Sequence, residues 1–359
     1  MSAPDPATAP QGPPRVSVLV PTLNAARTLR ECLASVRAQD WPADALEIVV
    51  ADAGSTDGTP DVARSFGARL VANPLRTGEA GKAAAAKAAT GEILALVDSD
   101  NVLPDPGWLR RMCAPFADPA VVASEPLEYT ARPEDPPLVR YFARLGMNDP
   151  LCLFVGNYDR RCAVTGRWTE LPVEAEDRGG WLAVRLVRGR PFPTIGANGF
   201  LIRRAALAGA RWDPYWFDVD VLQDLAAAAP EGAVTVAKVK TGVVHLYCAE
   251  LSDFRRKQER RVRDFLYFSA RRAAPPRPGA APPGRPPLLR GILRFSLAVL
   301  LGLPLARQAR RGNAASPDPE AWALHARACR ITFRVYAAAA LRRALGFRPA
   351  PADRTAWRQ

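Results

Sequence analysis

Asp98 and Asp100, with one serine between them, end an apolar run that begins at Leu94. Two carboxylates this close repel unless something positive lies between them. Their hard oxygens suit Mg²⁺ or Mn²⁺, ions usually shared with substrate phosphates. A solvated Asx turn is the plainer alternative. Two more polar clusters follow apolar runs: Pro21-Thr22-Leu23-Asn24, and Asp52-Ala53-Gly54-Ser55. Gly54 and Gly58 let the backbone turn close to a ligand. Downstream, Asp218 and Asp220 follow Phe217. A carboxylate here could deprotonate a hydroxyl, and an apolar neighbour such as Phe217 would raise its pKa by desolvation. The alternative is an ordinary acid at a helix start. A lone histidine such as His245 reads by itself as a structural side chain.

These groups can converge only if the intervening elements deliver them to one edge. Val16–Val20, Glu47–Ala51, Arg69–Ala72 and Glu92–Val97 read as short buried strands. Helices are expected near 25–39, with Asn24 as cap, near 60–66 and over the Ala-rich segment 80–89. Alternating strands and helices with short links imply an α/β, Rossmann-like, doubly wound, mostly parallel sheet. In such sheets ligands bind outside the carboxyl ends of the strands, where the three clusters fall. Residues 120–190 are less regular, with a strand at Val121–Tyr129 and a helix at Leu138–Leu145. Ala197–Arg203 reads as a tight turn entering a strand, 217–227 as a helix, 234–244 as strand pairs, and Phe254–Phe268 as a basic helix.

The stretches VSVLVPTLNAARTLRECLASV, EIVVADAGSTDGT and GEILALVDSDN together resemble the nucleotide-binding half of family 2 glycosyltransferases. The resemblance is strong over about 15–110 and weaker over 190–265. It implies the GT-A fold, a nucleotide-diphosphate sugar donor, a Mn²⁺ or Mg²⁺ cofactor and inversion at the anomeric carbon. By it, Pro21, Thr22, Asn24, Asp52, Gly54, Ser55, Lys82 and Asp98 lie on the donor side. Asp100 is the direct metal ligand, with Asp98 nearer the ribose and His245 a further candidate. Asp218 is the general base. Asn198, Gly199, Asp220, Gln258 and Arg261 lie on the acceptor or diphosphate side. The chain departs from the family pattern at Ala53, where a second Asp is usual, at Phe217 for Glu, and at Val262 for Trp. Lys82 otherwise reads as a solvated helix lysine, and the arginines around 260 as a solvated helix face.

Charge divides the chain. Residues 252–359 hold 23 Lys and Arg against 6 Asp and Glu, whereas the whole chain is +13. That excess implies an anionic partner. No recognised nucleic-acid motif accompanies it, so no nucleic acid is expected. Phe295–Ala306 is an uncharged stretch of 12 residues, short of the roughly 20 that a span needs. Arg327, Arg330 and Arg334 form a stripe beside Trp322, Leu324, Ile331, Phe333, Val335 and Tyr336. A basic amphipathic extension resting on anionic lipid is expected, the alternative being helices that pack on the catalytic domain. The expected layout is a disordered leader (1–14), a catalytic domain (15–272, halves 15–118 and 119–272), a Pro-rich linker (273–287) and a helical, membrane-associated region (288–350). MSAPDPATAPQGPP lacks a basic start and an apolar core, so no signal peptide is read. The six scattered cysteines suit buried, reduced thiols.

The expected function is inverting, metal-dependent transfer of a sugar to a hydroxyl or lipid-phosphate acceptor at the cytoplasmic face of a membrane. One rival is a nucleotidyltransferase, whose Gly-rich, Arg-containing loop is replaced here by Pro21-Thr-Leu-Asn. The other is a membrane-bound scaffold with a degenerate site.

Overall fold

The computed structural model describes residues 12–271 and 285–346. The expected leader as far as residue 11, residue 272 with residues 273–284 of the expected linker, and residues 347–350 of the expected helical region lie outside them. The first half runs β1 (Val16–Thr22), α1 (Ala26–Arg37), β2 (Leu46–Asp52), α2 (Thr59–Ser65), β3 (Arg69–Ala72), α3 (Gly78–Ala88) and β4 (Ile93–Leu96). The strand β1 pairs in parallel with β2 and β4, and β2 with β3. The inner strands β1, β2 and β4 are largely apolar because both faces are covered, whereas β3 is a partly exposed edge strand. Val18 and Val20 pack with Leu29, Leu33 and Val36 on one side. Leu19, Leu94 and Leu96 pack with Ala83 and Ala86 on the other.

A two-residue strand, β5 (Asn101–Val102), and α4 (Trp108–Cys113) precede β6 (Val121–Thr130), α5 (Pro137–Leu145) and α6 (Cys152–Val155). Next come β7 (Glu174–Asp177), β8 (Trp181–Val187), β9 (Phe200–Arg203), α7 (Asp218–Ala228), β10 (Ala233–His245) and α8 (Leu251–Arg271). The sheet order is β3-β2-β1-β4-β9-β6-β10-β8-β7, with β5 on β10. It is parallel through the first half and mixed beyond β4, where β9 runs antiparallel to both β4 and β6.

The expected strand pairs at 234–244 are one 13-residue strand. Lys238 breaks the apolar pattern, yet it is fully buried against Glu125, so the strand runs on through it. The hairpin of β7 and β8 escaped notice because β7 is an exposed, acidic edge strand without alternation.

The helical region expected at 288–350 holds four helices among the described residues: α9 (Arg285–Leu301), α10 (Leu303–Ala315), α11 (Pro319–Ala323) and α12 (His325–Ala344). Gly302, at φ 73°, separates α9 from α10. The Asp318 side chain caps α11 by accepting from Ala321 N–H. The arginine stripe of α12 is exposed. The apolar residues beside the stripe pack on protein: Trp322 of α11, Leu324 just before α12 and Ile331 of α12 lie with Tyr141, Phe142 and Phe254, and Phe333 of α12 joins Phe154 and Phe295. All six cysteines are buried and free.

Candidate active site

Parallel pairing carries the carboxyl ends of β2, β1 and β4 to one rim, with Thr22 and Asp52 in register. Asp52 is held by its own loop. Its carboxylate accepts from Thr22 Oγ1 at 3.0 Å, from Ser55 Oγ at 2.5 Å, and from the Gly54 and Ser55 N–H groups at 3.0 and 2.9 Å. Asn24 does not cap α1, whose N-cap is Ala25. Its side-chain carbonyl accepts from Thr56 N–H at 2.9 Å, and its own N–H donates to Ser55 Oγ at 2.8 Å. Asn24 thus staples the first loop to the second. Arg76, not foreseen from the sequence, brings its guanidinium 4.0 Å from where a Cβ on Gly54 would stand. Its Nε is buried and finds no hydrogen-bond partner among the described residues.

The β4 rim holds the acidic turn. Asn101 Oδ1 accepts from Asp98 N–H at 3.0 Å, and Asn101 N–H donates to Asp98 O at 2.9 Å. The strand β5 pairs Asn101 with His245. That pairing brings His245 Nε2 to 3.4 Å from Asp100 Oδ1. Lys257 of α8 places its ammonium 3.5 Å from Asp100 Oδ2. Burial works against the Asp100 charge, but His245 and Lys257 outweigh it and hold the carboxyl well below the usual carboxylate range. Among the described residues no three His, Cys, Asp or Glu side chains converge on a ready-made metal cage. An adjacent carboxylate and imidazole do suit a Mg²⁺- or Mn²⁺-type ion that draws most of its coordination from water and substrate phosphates.

The turn Gly196–Gly199, expected on the acceptor side, reaches the same rim because β9 runs antiparallel to β4: Gly199 N–H donates to Leu96 O at 2.8 Å. Asn198, at φ 52°, accepts at Oδ1 from Asn101 Nδ2 at 3.0 Å. Gly196 lies against the start of α7, where an added Cβ would fall 2.3 Å from Asp218 Cβ.

Asp218 is the first residue of α7, and no side chain caps that helix. Its carboxylate instead receives Lys82 Nζ at 2.9 Å on both oxygens. Lys82 is therefore not a solvated helix lysine; its side chain is 10% exposed. Gly81 permits this approach, since it presses on Pro21 with no room for a Cβ. Burial raises the Asp218 carboxyl to about 7, with repulsion from Asp98 helping and the Lys82 charge opposing. The same ion pair keeps Lys82 protonated against its own burial.

Three expected residues lie elsewhere. Asp220, two positions along α7, is turned away from Asp218 and sits in the field of Arg211, which pairs with Asp224. Gln258 is fully buried and donates to Thr332 of α12 at 3.0 Å. Arg261 donates to Asp149 at 3.0 Å, beside Tyr336, whose hydroxyl bonds the same carboxylate. From α8 it is Lys257 that reaches the acidic turn.

Residues 17–166 match the sequence model of glycosyl transferase family 2. A stretch of 104 residues is 34% identical to glycosyltransferase AglE of Haloferax volcanii, covering 27% of this chain and 34% of that protein. Another of 113 residues is 34% identical to validoxylamine A glucosyltransferase of Streptomyces hygroscopicus subsp. jinggangensis, covering 30% and 26%. The chain thus spans about a third or less of the length of these curated relatives. Among solved structures, mannosyltransferase PcManGT from Pyrobaculum calidifontis, in complex with GDP-Man and Mn²⁺, matches with a TM-score of 0.51 at 23% identity, over 94% of this chain and 89% of that one. The architecture is GT-A.

Proposed function

Because the chain carries a glycosyl transferase family 2 domain across residues 17–166, we propose that it moves a sugar from a nucleotide-diphosphate sugar to an acceptor hydroxyl, with inversion. The observation that carries this reading is the meeting of Lys82 and Asp218 at 2.9 Å, on the rim that holds Asp98 and Asp100. A carboxyl raised to about 7 is matched to general-base work near neutrality. Asp218 takes the acceptor proton as the hydroxyl attacks the anomeric carbon in a single displacement. The Lys82 ammonium orients Asp218, and the 52–58 loop, fixed by Asn24 and Asp52, lines the nucleotide with Arg76 beside it. A bound Mg²⁺ or Mn²⁺, held by Asp100 and His245, would supply charge stabilisation for the departing diphosphate. The deciding experiment is a screen of UDP- and GDP-sugars for hydrolysis and thermal stabilisation, with and without Mn²⁺. Chelation should remove turnover, and NMR should show an inverted anomeric product. No turnover with any donor would overturn the reading.

The acceptor we assign is lipid-linked, reached from an anionic membrane surface. The support lies in α9, which is built inside out. It packs on the domain through Gly291, Phe295 and Ala298. Leu289, Leu293, Leu300 and Leu301 on its outer side are between 61% and 72% exposed. Arg290 and Arg294 flank this ridge and are also exposed, an arrangement suited to lipid tails beneath anionic headgroups. Among the described residues no single helix is long and apolar enough to cross a membrane. Leu288–Leu301 and Leu303–Ala315 reach the length and composition of a span only when taken together, and they are bent by 97°. A bend that sharp favours a helix lying in the interface.

A further inference from the structure

Beneath the acceptor turn lies a group of charges that the proposed chemistry does not use. Glu125 of β6, Arg160, and Lys238 of β10 are each at most 1% exposed. Glu125 receives Arg160 Nη1 at 2.9 Å and Lys238 Nζ at 2.6 Å. Burying such ions is costly, and well-packed apolar side chains of similar volume are often no less stable. Their geometry shows what they accomplish. Glu125 Oε1 also accepts from Gly196 N–H at 2.9 Å. Arg160 Nη2 donates to the carbonyls of Ala197 at 2.6 Å and Asn198 at 2.9 Å, while its guanidinium lies 5.0 Å from the Tyr129 ring centre. Tyr129 Oη accepts from Asn198 Nδ2 at 2.8 Å.

The turn needs this grip. Gly196 sits at φ 124°, which glycine allows, and Asn198 at 52°, a left-handed conformation that is uncommon for a residue with a side chain and that its neighbours must hold. Its two ends touch the two halves of the reaction. Gly196 abuts Asp218. Asn198 reaches Asn101, whose carbonyl oxygen in turn holds Asp98 N–H. A planar fork can take two carbonyls at once, whereas a lysine offers a point charge.

We propose that the buried Arg160–Glu125 pair is a positioning device, setting the turn Gly196–Gly199 so that the base Asp218 and the donor loop Asp98–Asn101 keep a fixed spacing. This rests on the glycosyl-transfer reading above, and the test separates the two. Full-length wild type, R160K, R160M, E125Q, N101A and the R160K/N101A double variant are compared. Turnover is the hydrolysis of whichever UDP- or GDP-sugar most stabilises the wild type, and the binding probe is UDP with Mn²⁺ in calorimetry. Misplacement on the scale of an ångström predicts a kcat loss of about tenfold or more in R160K, with UDP affinity within about threefold of wild type. R160M, which keeps no charge, should lose more activity and more thermal stability than R160K. Because Arg160 and Asn101 act through one turn, their effects on log kcat should combine to less than their sum. R160K turning over at the wild-type rate, strict additivity with N101A, or UDP affinity falling in step with kcat would each overturn the positioning role alone. A wild type that hydrolyses no donor would overturn the parent reading and this inference together.

Discussion

Lys82 and Asp218 lie 136 residues apart in the chain and meet at 2.9 Å through both carboxylate oxygens. One comes from the helix before β4 and the other from the helix before β10, so the contact closes the two halves of the sheet over one rim.

Removing the carboxylate while keeping its shape isolates its role. In Asp218→Asn, donor turnover should fall by about 10²- to 10⁴-fold. UDP affinity should stay near wild type, because the nucleotide loop is untouched. Parallel steady-state kinetics and calorimetry check this; equal losses in both would instead mark Asp218 as a binding residue.

The pH dependence follows from the same group. Asp218 must be ionised to accept a proton, and burial holds its carboxyl up to about 7. kcat/KM should therefore rise with pH through about 7 and level off above it. Lys82→Met deletes the cation that opposes this shift, so the acid limb should move to higher pH. An unmoved limb would assign that limb to another group.

Gly81 and Gly78 make a matched pair on α3. A Cβ at Gly81 would stand 2.7 Å from Pro21 Cβ, whereas one at Gly78 meets nothing within 4 Å. Gly81→Ala should lower stability by about 1–3 kcal/mol through overpacking, and should reduce turnover by drawing Lys82 off Asp218. Gly78→Ala should do neither. Thermal melts and donor hydrolysis on the two variants test the contrast.

His325 anchors the C-terminal helices, bonding Tyr141 at 2.8 Å and Gln308 at 3.1 Å. Burial lowers its pKa to about 4. The folded state thus favours the neutral ring, and its contribution is complete above the unfolded value of 6.5. As pH falls from there towards 4, about 3 kcal/mol should be lost at about 1.4 kcal/mol per pKa unit. Denaturant titrations at pH 7 and pH 4.5 should show this loss in wild type and a smaller one in His325→Gln.

Leu293→Glu with Leu300→Glu should weaken sedimentation with phosphatidylglycerol vesicles by about tenfold or more, since each exposed leucine contributes on the order of 1–2 kcal/mol on burial. Hydrolysis of a soluble donor should not change. Undiminished vesicle binding would move the contact away from α9.

Much of this site was readable beforehand, for physical reasons. Strands such as Leu19 to Val20 and Leu94 to Leu96 are apolar on both faces, which marks a covered parallel sheet, and the acids at their ends then share a rim. Asp218 was legible only through the resemblance, which supplies the acid pattern that Phe217-Asp218-Val219-Asp220 partly matches; an acid at a helix start is by itself ordinary. Residues on α8 were harder. Lys257 and Gln258 are neighbours in sequence but about 100° apart around a helix, and only tertiary packing shows that the first faces Asp100 while the second faces Thr332. Glu125 and Lys238 gave no signal, since each looks like a lone polar residue in a strand until the two are seen paired. The tail was ambiguous for a related reason: an apolar helix face looks the same in sequence whether it meets lipid or protein, and only packing shows that Trp322 and Ile331 meet Phe254.

The packing of α11 and α12 on the catalytic domain bears on how the protein can be handled. Trp322 and Ala328 cover Tyr141, Phe142 and Phe254. A version cut after residue 271 would bare those rings to water, and precipitation on expression would then say nothing about whether the enzyme itself is active.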